Sequence, residues 1–167
     1  ACDIARKQSK VTHQGDEAAE CCALLTYIIV KILNDDKLNL KEFLDNLGNE
    51  FKTEIESVKY LANSKQEGND PDRNWNWKDI NFRYSPSRTK KNPGYIGSYA
   101  MDAMSMSLHI IYHTTNFKDA IIKAVNLRGD SDSVGSVVGQ IAGAYYGVEN
   151  IDKEWIKTVC KWDDEEI

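Results

Sequence analysis

Four glycines at intervals of four, Gly135, Gly139, Gly143 and Gly147, run through RGDSDSVGSVVGQIAGAYYG, the stretch from Arg128 to Gly147. Glycine inside a helix costs roughly 1 kcal/mol relative to alanine, so a repeat of this kind needs a compensating contact. Spacing of four lays the glycines along one slowly drifting ridge, with Ser136 and Ala142 beside it, where a second helix backbone can approach closely. Val134, Val137, Val138, Ile141 and Tyr145 fill the other faces. A helix that is apolar nearly all round lies at the centre of a fold. Gly147, at its end, suits a C-cap.

The remaining periodicity is helical as well. DEAAECCALLTYIIVKIL, from Asp16 to Leu33, reads as a mostly apolar, buried helix with acidic residues in its first turn, where they suit the macrodipole. From Leu40 to Ala62 the apolar residues Leu40, Phe43, Leu44, Leu47, Phe51, Ile55, Val58 and Leu61 recur at spacings of three and four. They predict one amphipathic helix with Lys41, Asp45, Lys52 and Glu56 facing water. A further helix is expected in GYIGSYAMDAMSMSLHIIYH, with its methionines in the core. A shorter one follows in FKDAIIKAVNL, capped by Asn116 or Thr115. The last, VENIDKEWIKTVCKW, would bury Trp155, Ile156 and Val159. No segment reads as a strand, so the predicted class is all-α, a single domain over residues 1–167.

Between these helices, residues 63–94 hold all three prolines and many turn formers. Long ordered connections of this sort are often functional. Trp75, Trp77, Phe82 and Tyr84 predict that this one packs at least partly against the body.

Hydrophobic residues make up 41% of the 167 and charged residues 28%, the balance of a globular chain rather than a disordered one. No apolar run approaches the roughly 18 residues of a membrane span. The net charge of −5, with the acidic tail WDDEEI, argues against nucleic-acid binding, which rests on phosphate neutralisation. Cys2, Cys21, Cys22 and Cys160 form no CxxC pair, which argues against a zinc cluster. They read as reduced, mostly buried thiols of a cytoplasmic protein.

Asp130 and Asp132, each followed by a serine, open the glycine helix. One reading is structural: Asp132 or Ser133 caps the helix and the other aspartate closes the turn after Gly129. The other is chemical, since two carboxylates and two hydroxyls within four residues are the oxygen ligands that Mg²⁺ and Ca²⁺ take. An EF-hand is excluded, because Val134 and Ile141 stand where that loop needs ligands.

GDSDSVGSVVGQIAGAYYG resembles the C-terminal signature of the ADP-ribosylglycohydrolase family, G-D-[TS]-D-[TS] followed by small and aliphatic residues and G-A-x-Y-G. VTHQGDEAAECCALL resembles the family's T-H segment opening a helix, and GYIGSYAMDAMSMSLH its G-Y-V helix, in the family's order. The resemblance implies an all-α bundle that hydrolyses, with a binuclear Mg²⁺ centre, the bond between ADP-ribose and an acceptor. The partner would be an ADP-ribosylated protein or a small ADP-ribose ligand. It implies that Asp130, Asp132 and Ser133 are metal ligands, that His13 lines the ligand cleft, and that Gly94 and Tyr95 bound the ribose or adenine pocket. A histidine and a tyrosine so placed also serve as capping and turn residues.

The family supplies further metal ligands from an upstream T-D-D segment, and no TDD occurs in these residues. The pairs at Asp35–Asp36 and Asp70–Asp72 lie in the wrong order. The resemblance therefore implies the C-terminal half of the family fold and half of its metal site. An inactive ADP-ribose-binding or structural relative is the alternative, and self-association through exposed apolar helices is a further expectation.

Overall fold

A computed structural model describes residues 1–161, so the tail from Trp162 onward, including its acidic run, lies outside the described residues. The order is α1 (Cys2–Thr12), α2 (Asp16–Asn34), α3 (Leu40–Glu50), α4 (Glu56–Ala62), α5 (Pro86–Lys91), α6 (Ala100–Tyr112), α7 (Phe117–Val125), α8 (Ser131–Tyr146) and α9 (Lys153–Cys160). Two 3-10 turns, Pro71–Arg73 and Val148–Asn150, complete the regular structure, and no strand forms among the described residues. The protein is all-α. No helix among the described residues is long and apolar enough to cross a membrane.

Helix α8 packs against α7, α6 and α2, the central place that its all-round apolar pattern predicts. Its glycine ridge faces α7. A Cβ built on Gly135 would meet Val125 at 3.9 Å, one on Gly139 would meet Ile121 at 3.6 Å, and one on Gly143 would meet Phe117 at 3.9 Å. The two helices run antiparallel with matching four-residue steps. These distances are ordinary van der Waals contacts, so a single methyl fits. Gly139→Ala is expected to raise stability by about 0.5–1 kcal/mol through helix propensity, whereas Gly139→Leu should cost about 1–3 kcal/mol by overpacking. Urea denaturation of both variants checks this.

The stripe from Leu40 to Ala62 is buried as expected, but it belongs to two helices rather than one. Phe51 ends α3 in an extended conformation (φ −81°, ψ 115°), and its ring packs against Tyr27 with centroids 5.5 Å apart. Thr53 turns inward, and its Oγ1 accepts the Ile55 N–H at 3.1 Å. This local bond competes with a helical one, and α4 starts afresh at Glu56.

The connection over residues 63–94 runs mostly over the surface but anchors itself to the body through its aromatic residues. Trp75 and Trp77 are fully buried, as is Phe82, and Trp77 Nε1 donates to the Leu61 carbonyl at 2.7 Å. Pro86 at the first turn of α5 follows Ser85, whose Oγ accepts the Arg88 N–H at 3.1 Å. Two imidazoles, one in the last turn of α6 and one at its C-cap, grip the connection. His109 Nδ1–H donates to the Trp77 carbonyl at 2.9 Å and His113 Nε2–H to the Lys78 carbonyl at 3.1 Å. The rings lie 4.6 Å apart.

Burial lowers the pKa of both histidines, and the neighbouring Lys123, with Arg83 on His109 and Lys41 on His113, pushes the same way. The unfolded chain, with histidines near pH 6.5, therefore binds protons before the fold does. Stability is full above about pH 6.5 and is lost as pH falls through the lowered folded values. Melting temperature should drop between pH 7 and pH 5, and a His109→Gln/His113→Gln variant should flatten that slope.

Asn116 is the cap of α7, accepting the Asp119 N–H at 2.8 Å. The last helix departs from expectation: Trp155 and Ile156 are half-buried and Val159 is 62% exposed. Helix α9 lies at the margin, where the Trp155 ring packs on the edge of the core under the Lys118 ammonium. All four cysteines are free, with Cys21 buried and the other three half-buried, fewer in the interior than expected.

Candidate functional site

Asp130 is placed by a strained turn. Arg128 (φ 64°) and Gly129 (φ 67°) are consecutive left-handed residues, a region open mainly to glycine. A Cβ on Gly129 would fall 2.5 Å from the Ile96 carbonyl oxygen. That carbonyl accepts the Asp130 N–H at 2.9 Å. Gly97 (φ 102°) continues the contact: the point its Cβ would occupy is 3.1 Å from the Tyr84 hydroxyl and 3.6 Å from the Asp130 carbonyl oxygen. The start of α8 is thus knitted to the segment before α6 and to the end of the long connection.

Asp130 occupies the cap position of α8, but its side chain makes no capping hydrogen bond. Asp132 and Ser133 lie inside the first turn and are exposed, so neither is the cap that the structural reading expected. Among the described residues no hydrogen bond or ion pair engages either carboxylate. Oxygen donors without partners suit a hard cation, and Mg²⁺ is commonly held by one or two carboxylates with water in its other positions. The donors fit part of a shell: among the described residues no group of three or more His, Cys, Asp or Glu comes together.

A cleft of about 650 Å³ runs between α1, α2, α6 and α8. Its polar end presents His13, Glu17, Ser98, Tyr99 and Ser133, and its floor is apolar, from Leu25, Met104 and Val137 among others. His13 and Ser133, predicted from distant segments, meet here. His13 ends α1, is exposed, and its Nδ1 lies 2.9 Å from Thr12 Oγ1. Asp130 and Asp132 are not on the cleft wall itself but flank Ser133 in the same turn. Gly94 and Tyr95 lie apart from it: Tyr95 is 74% exposed, and nothing approaches within 4 Å of a Cβ on Gly94. Their neighbours do the work, since Ile96 and Gly97 brace the Asp130 turn while Ser98 and Tyr99 line the cleft.

Three residues of the site were not singled out in the sequence. Tyr99 donates its hydroxyl hydrogen to Glu17 Oε2. Arg73, from the long connection, reaches Glu17 at 2.7 Å, Glu67 at 2.8 Å and the Tyr99 oxygen at 2.9 Å. Burial alone would raise the Glu17 pKa, but hydrogen bonds from Arg73, Ser57 and Tyr99 outweigh it and hold the carboxylate below its ordinary value. Burial, then the bond to Glu17, pushes the Tyr99 phenol up. The polar end is therefore a fixed wall at neutral pH, with an ionised acid neutralised by an arginine. Only the acidic first turn of α2 hinted at Glu17, and it reads equally as dipole compensation.

Tyr84 is the anomaly nearby. Its hydroxyl is buried with no hydrogen-bond partner among the described residues, a condition that costs about 1–3 kcal/mol. Burial, with the charges of Asp102 and Asp130, pushes its pKa well up.

Comparison with known proteins identifies the family. The chain is 32% identical over 155 residues to the ADP-ribosylarginine hydrolase Tri1 of Pseudomonas putida, covering 92% of this chain and 34% of that protein. It is 36% identical over 75 residues to the ADP-ribosyl-[dinitrogen reductase] glycohydrolase of Rhodospirillum rubrum, covering 45% of this chain and 24% of that one. It thus spans about a third or less of the length of these curated relatives. A family model described as ADP-ribosylglycohydrolase matches residues 1–167, and the chain belongs to the ADP-ribosylglycohydrolase family.

Proposed function

We propose that this chain is the cleft-forming part of an Mg²⁺-dependent hydrolase that removes ADP-ribose from an acceptor, an ADP-ribosylated arginine by similarity to the Pseudomonas relative. The observation that carries the reading is the pair of unpartnered carboxylates, Asp130 and Asp132, at the uncapped start of α8, beside a cleft that Ser133 and His13 line. A structural capping role would have engaged one of them.

Asp130, Asp132 and Ser133 would hold the cation. When bound, Mg²⁺ polarises water and orients ribose hydroxyls. His13 offers a ring nitrogen at the cleft mouth, and the Glu17–Tyr99–Arg73 wall fixes the polar end against movement. The apolar floor excludes water from a bound ligand. Four free cysteines fit a reducing, cytoplasmic setting. A second reading is the binding of ADP-ribose without catalysis, which the last assay below distinguishes.

Thermal melting with Mg²⁺ and ADP-ribose tests the site. Asp130→Asn and Asp132→Asn should leave the metal-free stability within about 0.5 kcal/mol, since no cap is lost. Each should weaken Mg²⁺ binding at least about 10-fold. A parent chain that responds to neither ligand would exclude the site. Release of ADP-ribose from ADP-ribosylarginine then separates hydrolysis from binding alone.

A further inference from the structure

We propose that Tyr84 is a positioning residue for Asp130, its hydroxyl donating to the Asp130 carboxylate when that carboxylate holds a cation. The inference rests on the reading of Asp130 as a cation ligand made above.

A buried hydroxyl without a partner is rare, and the Tyr84 hydroxyl is one of two such side-chain atoms among the described residues. Its location is specific. It comes within 3.1 Å of the point where a Cβ on Gly97 would stand, and the Asp130 backbone oxygen is 3.6 Å from that same point. The Asp130 backbone is already fixed by its N–H bond to the Ile96 carbonyl. What is left free is the carboxylate, which is half-buried and makes no capping bond. The other nearby carboxylate, Asp102, is taken by two bonds from Arg88, at 2.7 and 2.6 Å. Asp130 is therefore the nearby carboxylate that no donor engages among the described residues.

Metal-bound carboxylates are oriented by hydrogen bonds from a surrounding layer of residues, and loss of such a donor typically costs 10- to 100-fold in metal affinity. Tyr84 is suited to that part. It is anchored in the connection, its ring packs against the hydrophobic core, and glycine at position 97 leaves room for its hydroxyl. The unpaired hydroxyl is then a donor kept in place for the loaded site.

The test is Tyr84→Phe in the 167-residue chain, which keeps the ring and removes only the oxygen. Mn²⁺ or Mg²⁺ affinity by calorimetry should fall about 10-fold or more, while the metal-free melting temperature should stay level or rise, because no hydrogen bond is lost. A hydroxyl that merely supports the fold would give the reverse: unchanged affinity and a lower melting temperature. Either of those results overturns the proposal. If Asp130→Asn abolishes Mn²⁺ binding and Tyr84→Phe does not weaken it, Tyr84 alone is wrong. If the parent chain and Asp130→Asn both fail to bind Mn²⁺, the cation reading fails and takes this inference with it.

Discussion

Arg88→Ala is expected to destabilise the fold by about 3–5 kcal/mol, because it leaves a buried carboxylate without its counter-charge. The Asp102 side chain is only 3% exposed, and Arg88 meets it with Nε and Nη2 in a two-pronged contact at 2.7 and 2.6 Å. The same guanidinium stacks 5.1 Å from the Tyr99 ring centre and donates to the Asp72 carbonyl at 3.0 Å. Its removal therefore loosens α5, the connection and one wall of the cleft together. Asp72 itself would be less affected: hydrogen bonds from Ser85 and Ser87 hold its pKa down to about 2. Urea denaturation should show the loss, with the melting temperature lower by on the order of 10 °C. An Arg88→Met/Asp102→Leu double variant should recover much of it, since an apolar pair of similar volume removes the uncompensated charge. A loss below about 1 kcal/mol in the single variant would mean that water reaches Asp102.

Gly129→Ala is the second large effect, at about 2–4 kcal/mol. A left-handed backbone costs a non-glycine residue about 1–2 kcal/mol, and forced overpacking adds about 1–3 kcal/mol. The obstacle is backbone, with the Ile96 carbonyl oxygen 2.5 Å from the new methyl, so no side-chain rotation relieves it. The turn must open, which breaks the Asp130 N–H bond to Ile96 and moves the carboxylate. Loss of Mg²⁺ response should accompany the loss of stability, unlike Asp130→Asn, where only the first is expected. Arg128→Gly is the control: Arg128 already sits at φ 64°, so glycine there should relieve strain and leave ligand binding intact.

Much of the helical framework is readable from spacing, because each buried face repeats within one element. The glycine ridge announced a close helix neighbour, and α7 supplies it with its own four-residue step. The stripe from Leu40 to Leu61 identified buried positions but not the break, since Phe51 and Ile55 keep the period while lying outside the two helices. The family signature pointed to His13 and Ser133, and both line the candidate cleft. Glu17, Arg73 and Tyr99 were not legible, because they meet from positions 56 and 82 residues apart from Glu17, and no local period encodes such a contact. Of the segment that holds Gly94 and Tyr95, it is Ser98 and Tyr99 that line the candidate cleft.

The glycine ridge has one more consequence. Along this seam only α7 supplies side chains, with Val125, Ile121 and Phe117 each seated against one glycine of α8. Both ends of α7 are held as well: one by the Lys118 pair with Asp152, the cap of α9, and the other by the chain leaving Asn126. Only Leu127, Arg128 and Gly129 separate that exit from Asp130. A shift of α7 along α8 would therefore load the same short turn that the Ile96 carbonyl holds against Asp130.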